Sequence, residues 1–360
     1  MTYAAALEPA RTGAFDPHAL RVREFATGDQ HRWDRFVFQC QDATFFHRAG
    51  WRDILENVFR HRSRFLIAER AGEIRGVLPL AEVKSLLFGH ALVSLPFAVY
   101  GGPAALDADA ERALIDAAVE LAASLDVEHL ELRNRAAKRR DWPRQELYVT
   151  FRKPIEADPE ANLLAIPRKQ RAMVRKGIRN GLRGEIDATP DRFFDLYADN
   201  MHRHGTPAPS RKYFMRLVET FGEACEVLTV ADTAGRPVSG VMSFLFRDEI
   251  LPYYAGDTED ARALAANDFK YWDLMRRASE RGIRTFDYGR SKRGTGSFDF
   301  KKNWGFEPAP LAYEYRLLRR DDVPQNNPLN PKYRAFIALW RQLPRAAANA
   351  LGPLIVRSLG

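Results

Sequence analysis

One order of elements is spelled twice along this chain, and that repeat constrains the fold more than any single motif. In the first half, "RFLIAER", the turn "AGE" and "IRGVLPLAEV" read as a strand pair. "PFAVYGG" (96–102), the helix "ADAERALIDAAVELAASL" (108–125) and the strand "VEHLELRN" (127–134) follow. In the second half "CEVLTVAD", the turn "TAGRP" and "VSGVMSFLFRD" repeat the pair. "LPYYAGD" (251–257), "NDFKYWDLMRRASERG" (267–282) and "IRTFDYGR" (283–290) repeat the rest. The offset is 162 residues from Leu66 to Leu228, 164 from Gly76 to Gly240 and 155 from Gly101 to Gly256. Such constancy predicts an internal duplication; the alternative is chance agreement of short apolar strands.

Each half then reads as antiparallel strands, a helix and a further strand. This is an α+β fold with a mixed sheet in each of two tandem domains. The expected boundaries are a flexible leader over 1–19, a first domain over 20–155 and a second over 156–320. A linker and an amphipathic C-terminal helix fill 321–360. Two further strand and helix patterns, "LRVREF" (20–25) and "RAGWRDILENVF" (48–59), open the first domain.

Charge narrows the partners. The chain has 360 residues and a net charge of +8, which favours anionic partners without choosing among phosphates, nucleic acid and lipid headgroups. Two cysteines, Cys40 and Cys225, fit a reducing, cytoplasmic location. No run reaches 18 consecutive apolar residues, so no spanning helix is expected. No G-x-S-x-G, H-E-x-x-H or Walker lysine loop is present, and no groove-reading motif favours nucleic-acid regulation. "GTGSFD" has only two glycines of a dinucleotide fingerprint. His202 and His204 lack further ligands at metal spacing and read as a polar helix end, so no metal site is assigned.

Three basic stretches remain. "IPRKQRAMVRKGIRNGLRGE" (166–185) carries seven Lys/Arg from Arg168 to Arg183 with no acid between them. Its apolar residues follow one helical face, so Arg168, Lys169, Arg171, Arg175 and Lys176 form a basic patch, read as a phosphate-docking helix or as a solvated face. "KYRAFIALWRQLP" sets Tyr333, Phe336, Ile337 and Trp340 on one face, and no acid follows Val323. This segment, 332–343, either docks on the body or makes a peripheral contact with the inner face of a membrane. The third stretch is "DYGRSKRGTGSFDFKKNWGFEP" (287–308). Its glycines let the backbone approach a ligand after a strand. Arg290, Lys292, Arg293, Lys301 and Lys302 supply cations, and Phe298, Phe300, Trp304 and Phe306 can pack beneath them. The bland alternative is a turn with solvated lysines.

The segment from Asn267 through Pro308 resembles the FemAB-like branch of the GNAT acyltransferase superfamily. "IPRKQRAMVRKGIRNGL" and "NMHRHGTP" extend the resemblance towards the subgroup associated with exosortase (PEP-CTERM) and exopolysaccharide loci. It covers roughly 20–320 and implies two tandem GNAT-like domains. It also implies transfer of an acyl or aminoacyl group from an activated cosubstrate, aminoacyl-tRNA or acyl-CoA, to an amine of an anionic or lipid-linked acceptor. No bound cofactor is implied. Phe300 and Lys301 match the family's Phe-Lys pair at the reaction centre, and Asn267, Phe269 and Trp272 match its Asn-aromatic helix. On that footing Lys301 is the expected donor to the developing oxyanion, with Asp257 as base. Arg290, Ser291, Lys292, Lys302, Tyr254, Asn267 and Trp304 are the expected substrate contacts. The long coiled-coil arm of some members is absent, and no clear pyrophosphate loop is present, so the donor stays open between tRNA and CoA. A non-catalytic module for anionic polysaccharide or a lipid-linked precursor would use the same cations.

Overall fold

Strand pairing follows the repeat but crosses the expected seam. The computed structural model describes residues 18–85, 89–324 and 331–358, apart from the side chains of 331–335. Most of the expected leader (1–17), the linker segment 325–330 and the Tyr333 side chain therefore lie outside the described residues. In the second half, seven strands lie in the spatial order Arg183–Asp187, Cys225–Ala231, Pro237–Phe246, Glu249–Asp257, Thr285–Lys292, Tyr148–Pro154 and Pro308–Pro310. In the first half, Glu73–Leu78 and Leu80–Ser85 flank Pro79, which has no N–H to give a ladder. They belong to separate sheets of four and six strands.

Each half contains the expected crossover. Gly89–Ser94 runs parallel to His129–Asn134 across the helix Ala108–Ser124. Glu249–Asp257 runs parallel to Thr285–Lys292 across the helix Ala266–Glu280. A parallel pair needs such a long connection, so helix and strand direction support one another. Segment 96–102, matched by sequence to 251–257, is not a strand. The strand at that place in the fold is Gly89–Ser94, after which Leu95 and Phe97 adopt φ of 50° and 66° and turn the chain aside.

The sheets do not divide at residue 155. Tyr148–Pro154 pairs with Thr285–Lys292 inside the second sheet. Ala312–Leu317 returns to pair with His129–Asn134 inside the first. Each half thus lends a strand to the other. A strand's own residue pattern states which face is apolar but not which neighbour it joins, so sequence order misplaced both. The halves also share a core, in which Phe45 stacks on Phe244 at 4.3 Å and Trp51 packs on Phe221 at 5.4 Å. A second core lies on the opposite face of the second sheet, under Ala266–Glu280 and the short helix Gly296–Asn303.

The tail forms two helices, Pro331–Gln342 and Arg345–Val356, where a single one was expected. Pro344 separates them, as a residue without a backbone N–H does at a helix start. His202 Nε2 lies 2.9 Å from the Leu343 carbonyl, so the "HRH" pair ends a helix and braces the tail.

Candidate active site

The parallel strands Glu249–Asp257 and Thr285–Lys292 pair only at Glu249–Thr285 and Ile250–Phe286, and then part. Beyond Ile250 the facing edges form no ladder with each other, which leaves a wedge lined by peptide groups. Both strands carry a bulge there. Tyr253 is the extra residue between partners Pro252 and Tyr254. Tyr288 and Gly289 together face Phe151, with Gly289 at φ 63°, a conformation glycine adopts without strain.

Lys301 belongs to this second bulge. Its helix, Gly296–Asn303, starts where the Thr295 hydroxyl accepts the Phe298 N–H. From there Lys301 Nζ donates to the carbonyls of Tyr288 (2.6 Å), Gly289 (3.2 Å) and Arg290 (3.1 Å). A lysine ammonium has three donors, and all three are engaged. Burial pulls its pKa down to about 7, against the pull of nearby Asp287. The expected role, a free ammonium aimed at a substrate oxyanion, is not the role this geometry shows. Lys301 satisfies carbonyls that the bulge turns out of the ladder.

On the sheet face towards the first half, Asp287 is fully buried. It accepts from Gly289 N (2.7 Å), the Tyr100 hydroxyl (2.9 Å) and Thr150 Oγ1 (3.3 Å), and pairs with Arg152 Nε at 3.1 Å. Arg152 also pairs with Glu249. Burial, and then repulsion from Asp287, push the Glu249 carboxyl up to about 7. Its side chain keeps 20% exposure, so solvent or a ligand can reach it. A buried acid pair with one member displaced towards neutrality is a feature of proton-transfer sites.

Glu249 stands at one end of a cleft between the halves. With Thr44, Tyr100, Phe244 and Phe246 it lines a narrow inner pocket. Thr44 and Tyr100 also line the adjoining pocket, of about 170 Å³, with His47, Gly102, Arg135 and Lys138. Arg135 and Ala136 then lead to a wider hollow beside Arg144, Glu146 and Arg293. Arg135 lies over the Tyr100 ring at 5.6 Å, and no carboxylate pairs with it among the described residues. His47 is a brace within this wall. Its Nδ1 accepts the Thr44 N–H at 3.0 Å and its Nε2 lies 2.7 Å from the Gly102 carbonyl, a pairing that requires the proton on Nε2. Burial lowers its pKa to about 4 and keeps the ring neutral.

The other expected residues separate into three groups. Arg290 remains at the wedge, exposed, 4.5 Å over the Tyr148 ring and 3.3 Å from the Tyr313 hydroxyl. Ser291, on the same strand as Arg290, is buried and accepts from Ser297 of the short helix at 3.4 Å, and burial lowers the pKa of half-buried Lys292. Lys302 is exposed, next to Lys301 on the short helix.

The second group is structural, against expectation. Asp257 pairs with the fully buried Lys270 at 2.8 Å and accepts from Ser239, so it is occupied rather than free as a base. The Tyr254 hydroxyl meets the Tyr213 hydroxyl at 2.7 Å within an aromatic core. Trp304 is buried and donates to Asp268 at 2.9 Å. Phe300 packs 5.5 Å from Tyr271 and 5.8 Å from Trp304. Asn267 is half-buried in the first turn of its helix and lies outside the lining of the cleft.

The third group is the basic helix, Arg168–Arg179. Its Val174 and Gly177 are buried, the latter against Phe269. Arg168, Lys169, Arg171, Arg175, Lys176 and Arg179 form no ion pair among the described residues. Pro167, just before it, touches Gly305, just past the Lys301 helix. Glu249, Asp287, Tyr100 and Arg135 were missed by sequence reasoning. Asp287 opens the third basic stretch, but nothing in its local pattern marks it as buried.

Residues 168–302 match the model of a family described as an acetyltransferase (GNAT) domain. No curated protein matches the chain in sequence. Solved structures match its fold. "Crystal structure of FemX" is similar at 15% identity and a TM-score of 0.63, over 82% of this chain and 98% of that one. The C-terminal domain of a protein assigned as a lysylphosphatidylglycerol synthetase from Agrobacterium fabrum is similar at 14% identity and a TM-score of 0.55, over 86% and 94%. A tandem GNAT protein from the clavulanic acid biosynthesis pathway is similar at 12% identity and a TM-score of 0.53, over 85% and 100%. The chain has the tandem GNAT fold, and the part of it that matches the GNAT family model, 168–302, lies in its second half.

Proposed function

We propose that this chain is an N-acyltransferase. It moves an acyl or aminoacyl group from an activated, phosphate-bearing donor to an amine of a cell-envelope or exopolysaccharide precursor, in the manner of the exosortase-associated subgroup its motifs resemble. The observation that carries the reading is the raised, reachable Glu249 carboxyl at the closed end of the parted strands. It stands next to a cleft whose Arg135 pairs with no carboxylate among the described residues. The GNAT domain match over 168–302 and the FemX and lysylphosphatidylglycerol synthetase neighbours support the same class.

The amine nitrogen attacks the acyl carbonyl carbon. The new C–N bond forms as the bond to the donor's oxygen or sulfur breaks. Glu249, as carboxylate, takes the proton from the attacking nitrogen and returns it to the leaving group. Arg152 holds Glu249 and is held in turn by Asp287, which Tyr100 and Thr150 fix. Peptide groups along the wedge can bind the acyl chain where the ladder is absent. Arg135 binds an anionic group of the acceptor. The basic helix docks the donor's phosphates, which either aminoacyl-tRNA or acyl-CoA supplies.

The test is incubation with radiolabelled aminoacyl-tRNA or acyl-CoA and candidate amines, with a Glu249→Gln variant as control. Label transfer that falls on the order of 10²-fold or more in the variant supports the reading. Polyanion binding with no transfer from either donor makes the chain a binding module instead.

A further inference from the structure

The C-terminal helix pair has two faces, and only one is used by the fold. On the inner face Trp340, Ala348, Gly352 and Val356 are buried. Ile337 closes on Gly205, and Gly352 lies against the Ala208 backbone. The outer face carries Leu339, Leu351 and Leu354, with exposures of 64%, 45% and 56%. Eight large apolar side chains stand exposed among the described residues, and three of them fall on these two short helices. Leu351 and Leu354 are three apart and share a stripe.

Charge selects the occupant. From Val323 to the end there are five Lys/Arg and no acid. Arg357, just past Leu354, is exposed and pairs with no carboxylate among the described residues. Arg341 packs its stem on Gly205 beside Ile337 and keeps its end exposed, also without a carboxylate partner among the described residues. The acids of the supporting helix Asp191–Arg203 are already neutralised. Asp191 and Asp195 pair with Arg211, and Asp199 pairs with Arg203 and Arg345. A second copy seated on this face would bring like charges together, because a two-fold contact sets the same patch on itself. An anionic lipid surface complements both the exposed leucines and the segment's excess of cations over acids. Each helix has 12 residues, about 18 Å long, well short of the roughly 30 Å needed to cross a bilayer. The pair can therefore lie along a membrane but not span it.

We infer that the outer face of the C-terminal helix pair is a peripheral membrane anchor, laying Leu339, Leu351 and Leu354 into the interface of an anionic bilayer. The inference goes beyond acyl transfer and stands whether or not transfer occurs. Flotation of the full chain with phosphatidylcholine vesicles, with and without phosphatidylglycerol, tests it. The chain is expected to float with the anionic vesicles and to be released as salt rises. A Leu351→Glu/Leu354→Glu variant, altered only at exposed positions, is expected to keep its thermal melt and lose about tenfold or more in vesicle affinity. Failure of the unaltered chain to float with anionic vesicles overturns the inference, and so does equal flotation of the folded variant. A dimer in solution that this variant dissociates, with no vesicle binding, assigns the face to a second copy and overturns it too.

Discussion

Replacing Lys301 by Met leaves the Tyr288, Gly289 and Arg290 carbonyls without their shared donor. Stranded buried acceptors of this kind cost about 1–3 kcal/mol each, so a fall in Tm of roughly 5–10 °C is expected by calorimetry. A purely chemical role for Lys301 requires an unchanged melt with activity abolished. Glu249 carries the opposite expectation, because Glu249→Gln is nearly isosteric and removes a charge that burial disfavours. Its melt should hold while transfer falls. The sign with pH follows from the raised carboxyl. Glu249 is protonated below about 7 and a base above it, so kcat/KM should climb through pH 7 and flatten. In Glu249→Gln that limb should vanish. For stability the same shift acts in reverse, because the folded state holds the proton more tightly than the unfolded chain. Its contribution is fully present below the ordinary carboxyl value of 4.5 and is lost as pH rises through about 7.

Among elements, the basic helix is the most directly testable. Changing Arg168, Lys169 and Arg175 to Glu removes three exposed cations that no acid pairs with among the described residues. Filter binding of the phosphate-bearing donor across a salt series should then show weaker binding. The log–log slope should be shallower by about 1 for each phosphate that the helix no longer neutralises. A slope that stays the same makes the helix a solvated face. This helix was legible in the sequence from its 3.6-residue apolar period, and so was Ala108–Ser124, although the helix stops at Arg179, Ile178 of that period stands exposed, and Arg183 already belongs to the strand Arg183–Asp187. The helix Gly296–Asn303 was not. Its glycines and lysines read as a flexible loop, and the Thr295 cap outweighed them. Tyr254 and Trp304 were read as substrate contacts because an aromatic residue near a site has the same letter whether it faces substrate or core.

At the scale of the molecule, the repeat was visible in the sequence but the exchange of strands was not. Glu249 and Asp287 come from one half, and Tyr100, Thr150 and Arg152 from before its expected start at 156. The site exists only when both halves are folded together. Separate expression of 18–155 and 156–358 should therefore give fragments without cooperative melts, since each half's sheet includes a strand that the other half supplies. Two independently folded fragments would contradict that coupling. The central claim, acyl transfer at Glu249, is tested most directly by single-turnover transfer of a labelled acyl or aminoacyl group to an amine acceptor. Transfer by the unaltered chain, reduced on the order of 10²-fold or more in a Glu249→Gln variant of equal Tm, is the predicted result. Equal transfer by the two proteins would contradict it.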